Sequence, residues 1–302
     1  MTTIRSFVRA LLFVGAIPVT LVAQDSGDRV DSTFTLDRGG VVHLGAVSGE
    51  IRITGSDRRD VRVNASMDRG RFEVAATRSR LSITTKSVQG RQSGTRFDVT
   101  VPTGTRISAT TVSGSIEVRA TEGEVVVRTT SGSVDIRNAK ERVEVSTVSG
   151  DVELSRVSGR IRVDGVSSTI YADDIAGDLN AETVSGTITL RRGALDGLVA
   201  RAVSGTITYE GTLSATGSYR LNSHSGSVTL GLPANVGALL ELETFSGRIN
   251  SDFPLTLQPG ETGGRRGRRM EFTLGNGGAR VTAGAFSGNI NIRRGSAAGD
   301  RE

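Results

Sequence analysis

The stretch "TTSGSVDIR", residues 129–137, recurs with small changes along most of the chain. The other copies are "AVSGEIRIT" from Ala46, "TVSGSIEVR" from Thr111, "TVSGDVELS" from Thr147, "TVSGTITLR" from Thr183, "AVSGTITYE" from Ala202, "SHSGSVTLG" from Ser223, "TFSGRINSD" from Thr244 and "AFSGNINIR" from Ala285. Self-similarity at a regular spacing is the sequence signature of a repeat architecture. The repeat therefore decides the fold before any other motif is considered.

The glycines of the Ser-Gly pairs give the period of the repeat. Successive glycines of this kind from Gly114 to Gly247 lie 18, 18, 36, 19, 21 and 21 residues apart, and the spacing of 36 residues corresponds to two coils of 18. The residues two and four positions after each glycine are apolar, as in Ile188 and Leu190, whereas the residues one and three positions after it are polar. This period-2 alternation is typical of a half-buried β-strand.

A coil of this size cannot bury its own apolar face, but stacked coils bury a continuous one. The sequence therefore predicts an all-β fold, a parallel β-solenoid with about 18–21 residues per coil. Seven coil intervals from Gly114 to Gly247 predict a rod of roughly 35 Å. We expect glycine at the turns because a side chain would penalise the turn conformation there. These structural glycines are Gly114, Gly132, Gly150, Gly186, Gly205, Gly226, Gly247 and Gly288.

The rest of the chain divides around these repeats. Residues 24–107 carry alternating segments that predict an irregular N-terminal β-sheet cap together with the first strands, and the cap would cover the exposed edge of the first coil. The repeats occupy 108–257, a Gly/Arg-rich loop 258–270, closing strands 271–294 and a disordered tail 295–302.

Residues 1–23 have the pattern of a secretory signal peptide, with Arg5 and Arg9 ahead of an apolar run from Ala10 to Ala23. This run is shorter than the roughly 20 residues that span a bilayer. We expect cleavage after Ala23 and an exported protein in the periplasm, on the outer cell surface or outside the cell, with an uncleaved anchor as the alternative. The 302 residues include no Cys, so no disulfide can hold the fold.

The sequence contains no catalytic, cofactor-binding or metal-binding motif. Only His43 and His224 could act as imidazole bases, and neither lies in a recognisable triad or zinc motif. The position after the aligned glycine varies among Ser, Glu, Asp, Arg and Thr, so it cannot supply the repeated Asp of a calcium roll. The adjacent Asp173 and Asp174 fit a solvated turn better than a metal site.

Two surface patterns remain as candidates. Four carboxylates are expected on one exposed strand face; they are Glu117, Asp135, Asp151 and Glu153. They leave a carbohydrate-active β-helix enzyme as an alternative, because such an enzyme needs a pair of acids across a cleft. The run "RRGRR" makes a candidate anion-binding loop of four guanidinium groups, which suit lipid headgroups or other phosphate-rich partners; they are Arg265, Arg266, Arg268 and Arg269. No aromatic residues interleave with this run, which argues against specific nucleic-acid binding.

The T-V-S-G-x-[IV]-x-[VIL] coil, the strand ending in Val101-Pro102 and the closing "GNGGARVTAGAFSGNINI" from Gly275 together resemble the bacterial putative-adhesin family of domains of unknown function. The resemblance covers about residues 30–293. It implies a single-stranded parallel β-solenoid, sometimes called a toast-rack domain, in a cell-envelope setting with a role in adhesion or scaffolding. It supplies no catalytic residues to carry over.

The sequence thus favours an exported, non-enzymatic cell-envelope β-solenoid, an adhesin that binds envelope polysaccharide, lipid headgroups or protein through its outer strand faces. The first alternative is a self-assembling envelope scaffold, and the second is the carbohydrate-active enzyme. No transmembrane span is expected in the mature chain, because no other long apolar run is present.

The alternation predicts that Ile188→Asp lowers the melting temperature sharply, because the new carboxylate would be buried without a partner inside the stack. Thermal unfolding followed by circular dichroism measures this. An unchanged melting temperature would mean that the inward and outward faces are reversed.

Overall fold

The computed structural model describes residues 28–86, 94–254, 256–257 and 268–295, and within these ranges the chain forms 21 β-strands and no helix. The N-terminal strands are β1 (Arg29–Thr35), β2 (Val41–Ser56), β3 (Asp60–Met67), β4 (Arg71–Ala76), β5 (Arg80–Lys86) and β6 (Thr95–Pro102). The central strands are β7 (Arg106–Thr121), β8 (Val125–Ser131), β9 (Val134–Ala139), β10 (Arg142–Ser149), β11 (Val152–Ser167), β12 (Ile170–Ser185), β13 (Ile188–Ser204), β14 (Ile207–Ser225) and β15 (Val228–Leu232). The C-terminal strands are β16 (Ala238–Thr244), β17 (Ile249–Ser251), β18 (Thr256–Leu257), β19 (Arg268–Leu274), β20 (Ala279–Ser287) and β21 (Ile290–Arg294).

Each coil contributes one segment to each of two stacked rows of parallel strands, joined at the Ser-Gly corner. Row A contains, in spatial order, segments 41–48, 106–113, 125–131, 142–149, 160–167, 178–185, 197–204, 218–225, 279–287 and 238–244. Row B contains segments 49–56, 116–121, 134–139, 152–155, 170–173, 188–191, 207–210, 228–232, 290–294 and 249–251. The predicted parallel β-solenoid is confirmed.

The core lies between the two rows. Alternate residues of both rows point inward, and the predicted pair Ile188 and Leu190 is 0% and 1% exposed. The other pairs predicted to face inward are also buried: Ile116 and Val118, Val134 and Ile136, Val152 and Leu154, Ile161 and Val163, Ile207 and Tyr209, Val228 and Leu230. The period-2 pattern therefore identified the buried face correctly.

Glycine is required at the corners for two reasons: the backbones of neighbouring coils approach closely there, and several of the turns need a positive φ. A Cβ added to Gly205 would lie 1.7 Å from the carbonyl oxygen of Gly186, and one added to Gly132 would lie 1.9 Å from that of Gly114. Five of the eight predicted glycines also have a positive φ; they are Gly114, Gly132, Gly150, Gly186 and Gly226. The one coil without a glycine mark has Ser168 at this place, and its carbonyl oxygen lies 2.0 Å from a Cβ on Gly186.

The N-terminal region combines a cap with the first complete coil. Strands β1, β3 and β6 pair antiparallel in that order, and β4 pairs antiparallel with β5. Strands β5 and β6 then pair parallel with β2, which forms the first coil and pairs with β7 on its other side. The segment 24–107 is thus not all cap, because residues 41–56 already follow the coil pattern.

The last copy of the repeat does not occupy the end of the stack. Strand β20 lies between β14 and β16 in row A, and β21 lies between β15 and β17 in row B. The end is closed instead by β19, which runs antiparallel to β16 and pairs with β18. Residues 271–294 were predicted to close the stack, but β20 and β21 lie between two earlier coils instead, since any copy offers the same parallel pairing. The inserted coil makes eight intervals from Gly114 to Gly247 instead of the predicted seven, about 38 Å rather than 35 Å, and the ten coils from β2 onward span about 43 Å.

We predict that Gly205→Ala destabilises the protein by about 3 kcal/mol, because the new methyl group would overlap a backbone carbonyl that cannot move without breaking the stack. Gly104→Ala is the matched control, since nothing lies within 4 Å of its Cβ position. Urea unfolding of both variants measures the difference. Equal midpoints would show that the corner tolerates a side chain.

Candidate binding surface

An unbroken line of side chains projects outward from row A, one residue before each Ser-Gly corner. We call this line the ridge; in spatial order it contains Val47, Val112, Thr130, Val148, Val166, Val184, Val203, His224, Phe286 and Phe245. Its valines are 37–50% exposed, and Phe286 and Phe245 are 49% and 57% exposed. Period-2 alternation points these side chains to solvent, because the threonine, alanine, serine or glycine before each of them faces the core.

The serines that follow the ridge residues also stack in register and largely face solvent. The hydroxyl groups that bond to the corner backbone instead come from the buried residue two positions earlier. Ser223 donates to the Gly205 carbonyl oxygen at 2.7 Å, and Thr244 donates to that of Gly288 at 3.1 Å. Ser223 and Thr244 therefore hold the corner backbone from the inside of the coil. The ridge side chains are not needed for this.

The ridge ends in three stacked aromatic rings. The His224 and Phe286 ring centroids are 4.7 Å apart, and the Phe286 and Phe245 centroids are 4.8 Å apart with an interplanar angle of 2°. Phe286 takes the middle position because β20 is inserted between β14 and β16. Sequence reasoning missed this stack, since Phe286 lies more than 40 residues from Phe245 along the chain.

A groove of about 610 Å³ runs beside the aromatic half of the ridge. One wall is the ridge from Val184 to Phe245, and the floor is formed by small residues such as Thr183 and Ala202. The opposite wall is polar and consists of Asp164, Glu182, Arg201, Asn222 and Glu243, with Gly284 leaving a gap in it.

The charges of the polar wall are largely compensated. Arg201 contacts Glu182 at 2.7 Å, and Arg162, just outside the groove, contacts Asp164 at 2.7 Å. Glu243 forms no ion pair within the part of the chain whose side chains are described. The groove therefore presents an apolar wall facing a nearly neutral hydrogen-bonding wall.

Three of the four carboxylates that suggested an enzyme are held by arginines on the outer face of row B, and the fourth, Asp151, is exposed between β10 and β11. Arg52 donates to Glu117 at 2.8 Å, and Arg137 contacts Asp135 at 2.8 Å and Glu153 at 3.6 Å. The hydrogen bond from Arg52 is the main cause that lowers the pKa of Glu117. A glycosidase acid needs a raised pKa, so this geometry does not support Glu117 in that role.

The histidines do not complete a catalytic site among the described residues. His43 Nδ1 lies 3.1 Å from the Ser108 hydroxyl group, and burial together with the charge of Arg80 lowers the pKa of His43. No described carboxylate hydrogen-bonds to this ring, so a Ser-His-Asp arrangement is incomplete. The same residues contain no cluster of three His, Cys, Asp or Glu side chains that could hold a metal, and Asp173 pairs with Arg192.

The arginine loop stays a prediction. Arg265 and Arg266 lie outside the described residues, as do the predicted signal peptide 1–23 and the tail beyond Gly295. The backbone of Arg268 and Arg269 begins β19 and pairs with Thr244 and Glu243. The strand thus starts inside the segment 258–270 that was expected to be a loop. Among the residues that the structure describes, none belongs to a helix that is long and apolar enough to cross a membrane.

Three comparisons with known proteins bear on this surface. A family model described as Toastrack DUF4097 matches residues 46–293. A crystal structure of a putative cell adhesion protein from Clostridium sporogenes ATCC 15579 shares 13% sequence identity, and the match covers 88% of this chain and 99% of that chain with a TM-score of 0.29. A TM-score of this size supports no argument about function. No curated protein matches the chain significantly.

We predict that Glu117→Gln lowers the melting temperature at pH 7 and that this difference shrinks progressively as the pH falls below about 4. The pKa of Glu117 is lowered in the folded state, so its stabilisation is fully present above the unfolded value and is lost as the pH falls through the folded one. Thermal unfolding of both proteins between pH 7 and pH 3 measures this. Glu153→Gln is the control, since its longer contact with Arg137 is more exposed and should contribute little. An undiminished difference at pH 3 would contradict the ion-pair explanation.

Proposed function

The chain belongs to the Toastrack DUF4097 family, and on that premise we propose that it is an exported, non-enzymatic binding protein of the cell envelope. It acts as an adhesin-like β-solenoid that holds extended ligands against its outer face. The ridge is the observation that carries this proposal. Envelope polymers and neighbouring proteins are the ligands that such a long surface suits.

An exposed apolar line of this length needs an explanation. Single exposed apolar residues are ordinary on a protein surface, whereas contiguous ones mark interaction sites. Here nine of ten successive coils present Val, Phe or His at the same outward position. Thr130 shows that a polar β-branched residue fits the same place, so packing alone does not demand the apolar side chains.

Export is supported by the sequence alone. The arginines at positions 5 and 9 followed by the apolar run fit a secretory signal. A fold that needs no disulfide is compatible with several compartments, so the periplasm, the outer surface and the exterior are equally consistent with it.

The scaffold alternative would require coils of one molecule to stack on those of another. At one end β5 and β6 cover β2 and are themselves paired with the antiparallel strands β4 and β3, and at the other end the antiparallel strand β19 covers β16 in row A. Antiparallel strands break the parallel repeat that would continue into a neighbouring copy. This arrangement supports ligand binding over end-to-end polymers.

We predict that Val148→Thr, Val166→Thr and Val184→Thr, combined in one variant, reduce binding to envelope particles by about tenfold, because the apolar contact area is lost while strand propensity is kept. Co-sedimentation of residues 24–302 with envelope particles of the source organism measures this. Val126→Thr combined with Val199→Thr is the control, since both residues are half-buried outward positions of row A away from the ridge.

Equal binding by the ridge variant and the wild type would show that the ridge is not the binding surface. No binding by the wild-type protein would contradict the proposed function. Sedimentation velocity over a range of concentrations completes the test, because growth of polymers with concentration would favour the scaffold instead.

A further inference from the structure

We propose that the groove beside His224, Phe286 and Phe245 binds a neutral, linear oligosaccharide. This inference rests on the proposed function, because it assigns a ligand class to the aromatic end of the same outer face. The groove crosses six neighbouring coils of row A along the solenoid axis. Five intervals make it about 24 Å long, which suits an extended chain of several sugar units.

The apolar wall offers exposed aromatic surface. Phe286 and Phe245 remain 49% and 57% exposed although their rings stack on one another. A pyranose ring presents C–H groups on its faces, and these can pack against the exposed ring surface and the valine methyl groups.

The polar wall offers donors and acceptors to the hydroxyl groups at the edge of a sugar. Asn222 provides both a donor and an acceptor, and Glu243 provides a carboxylate acceptor at the aromatic end. The Arg201 and Glu182 pair adds fixed donors and acceptors between the coils. An oligosaccharide, apolar on its ring faces and polar along its edges, matches two walls of opposite character.

The charge of the lining favours a neutral ligand. Three carboxylates and one guanidinium group line the groove; they are Asp164, Glu182, Glu243 and Arg201. Among the described side chains, Arg201 is the one guanidinium group of the lining, and it is already paired with Glu182. The described lining therefore offers no unpaired guanidinium group to a polyanion such as a sulfated glycan.

An extended peptide fits this groove less well. The backbone groups of the row A strands are engaged with the neighbouring coils across the whole floor. The groove crosses these strands, so no free strand edge is available for β-augmentation. A peptide would leave its own amide groups unpaired over the apolar wall, at a cost that a sugar without amides in its backbone does not incur.

Isothermal titration calorimetry of residues 24–302 with cellohexaose, chitohexaose, mannohexaose and heparin tests the proposal. We expect at least one neutral hexasaccharide to bind and heparin not to bind. The variant with Phe245→Leu and Phe286→Leu should weaken this binding by about tenfold, because it keeps apolar bulk but removes the rings. Asn222→Ala should also weaken it, whereas Val126→Thr, outside both the groove and the ridge, should not change it.

The outcomes separate this inference from the proposed function. Envelope binding by the wild type without binding of any neutral hexasaccharide would overturn the ligand class and leave the proposed function standing. Loss of both would overturn both. Tighter binding of heparin would contradict a neutral ligand, and unchanged affinity in both groove variants would place the sugar elsewhere. Loss of binding after protease treatment of the envelope particles would indicate a protein ligand instead.

Discussion

The close approach of backbones at the Ser-Gly corner is the constraint on which the rest of the structure depends. Parallel strands of successive coils lie about 4.8 Å apart, and at the corner this places the carbonyl oxygen of one coil where the next coil would carry a Cβ. Glycine at this place holds all coils in the same register. That register aligns the inward residues into one core and the outward residues into the ridge.

The fold could be predicted from the sequence because each copy of the repeat contains the alternation that marks a strand and its buried face, and the Ser-Gly pair that marks the turn. Ile188 and Leu190 are buried as the alternation requires. The order of the copies could not be predicted, since a repeat carries no information about which copy becomes its neighbour. The aromatic stack depends on that order. The ridge was not predicted either, although the same alternation that buries Thr111 points Val112 and its equivalents to solvent.

The same register places the charged side chains of successive coils next to one another on the outer faces. Side chains at equivalent positions lie directly opposite one another, so like charges in successive coils would repel. In row B the acids Glu117, Asp135 and Glu153 nevertheless lie opposite one another in successive coils. Arginines compensate them, since Arg52 contacts Glu117 and Arg137 contacts both Asp135 and Glu153. Each exposed pair contributes little stability. Together the pairs neutralise much of the charge on both rows, and the ridge is left as the feature that distinguishes row A from row B.

The placement of residues 279–294 between two earlier coils has a consequence for folding. Most of the stack can assemble in order from the N-terminus, because each new coil pairs with the one before it. Strands β16 and β17 are joined to the rest of the stack only when residues 279–294 have entered between them and the strands β14 and β15. This step joins distant parts of the chain, and such non-local closure is slow. A protein built from nearly identical units thus needs almost all of its chain before its fold is complete.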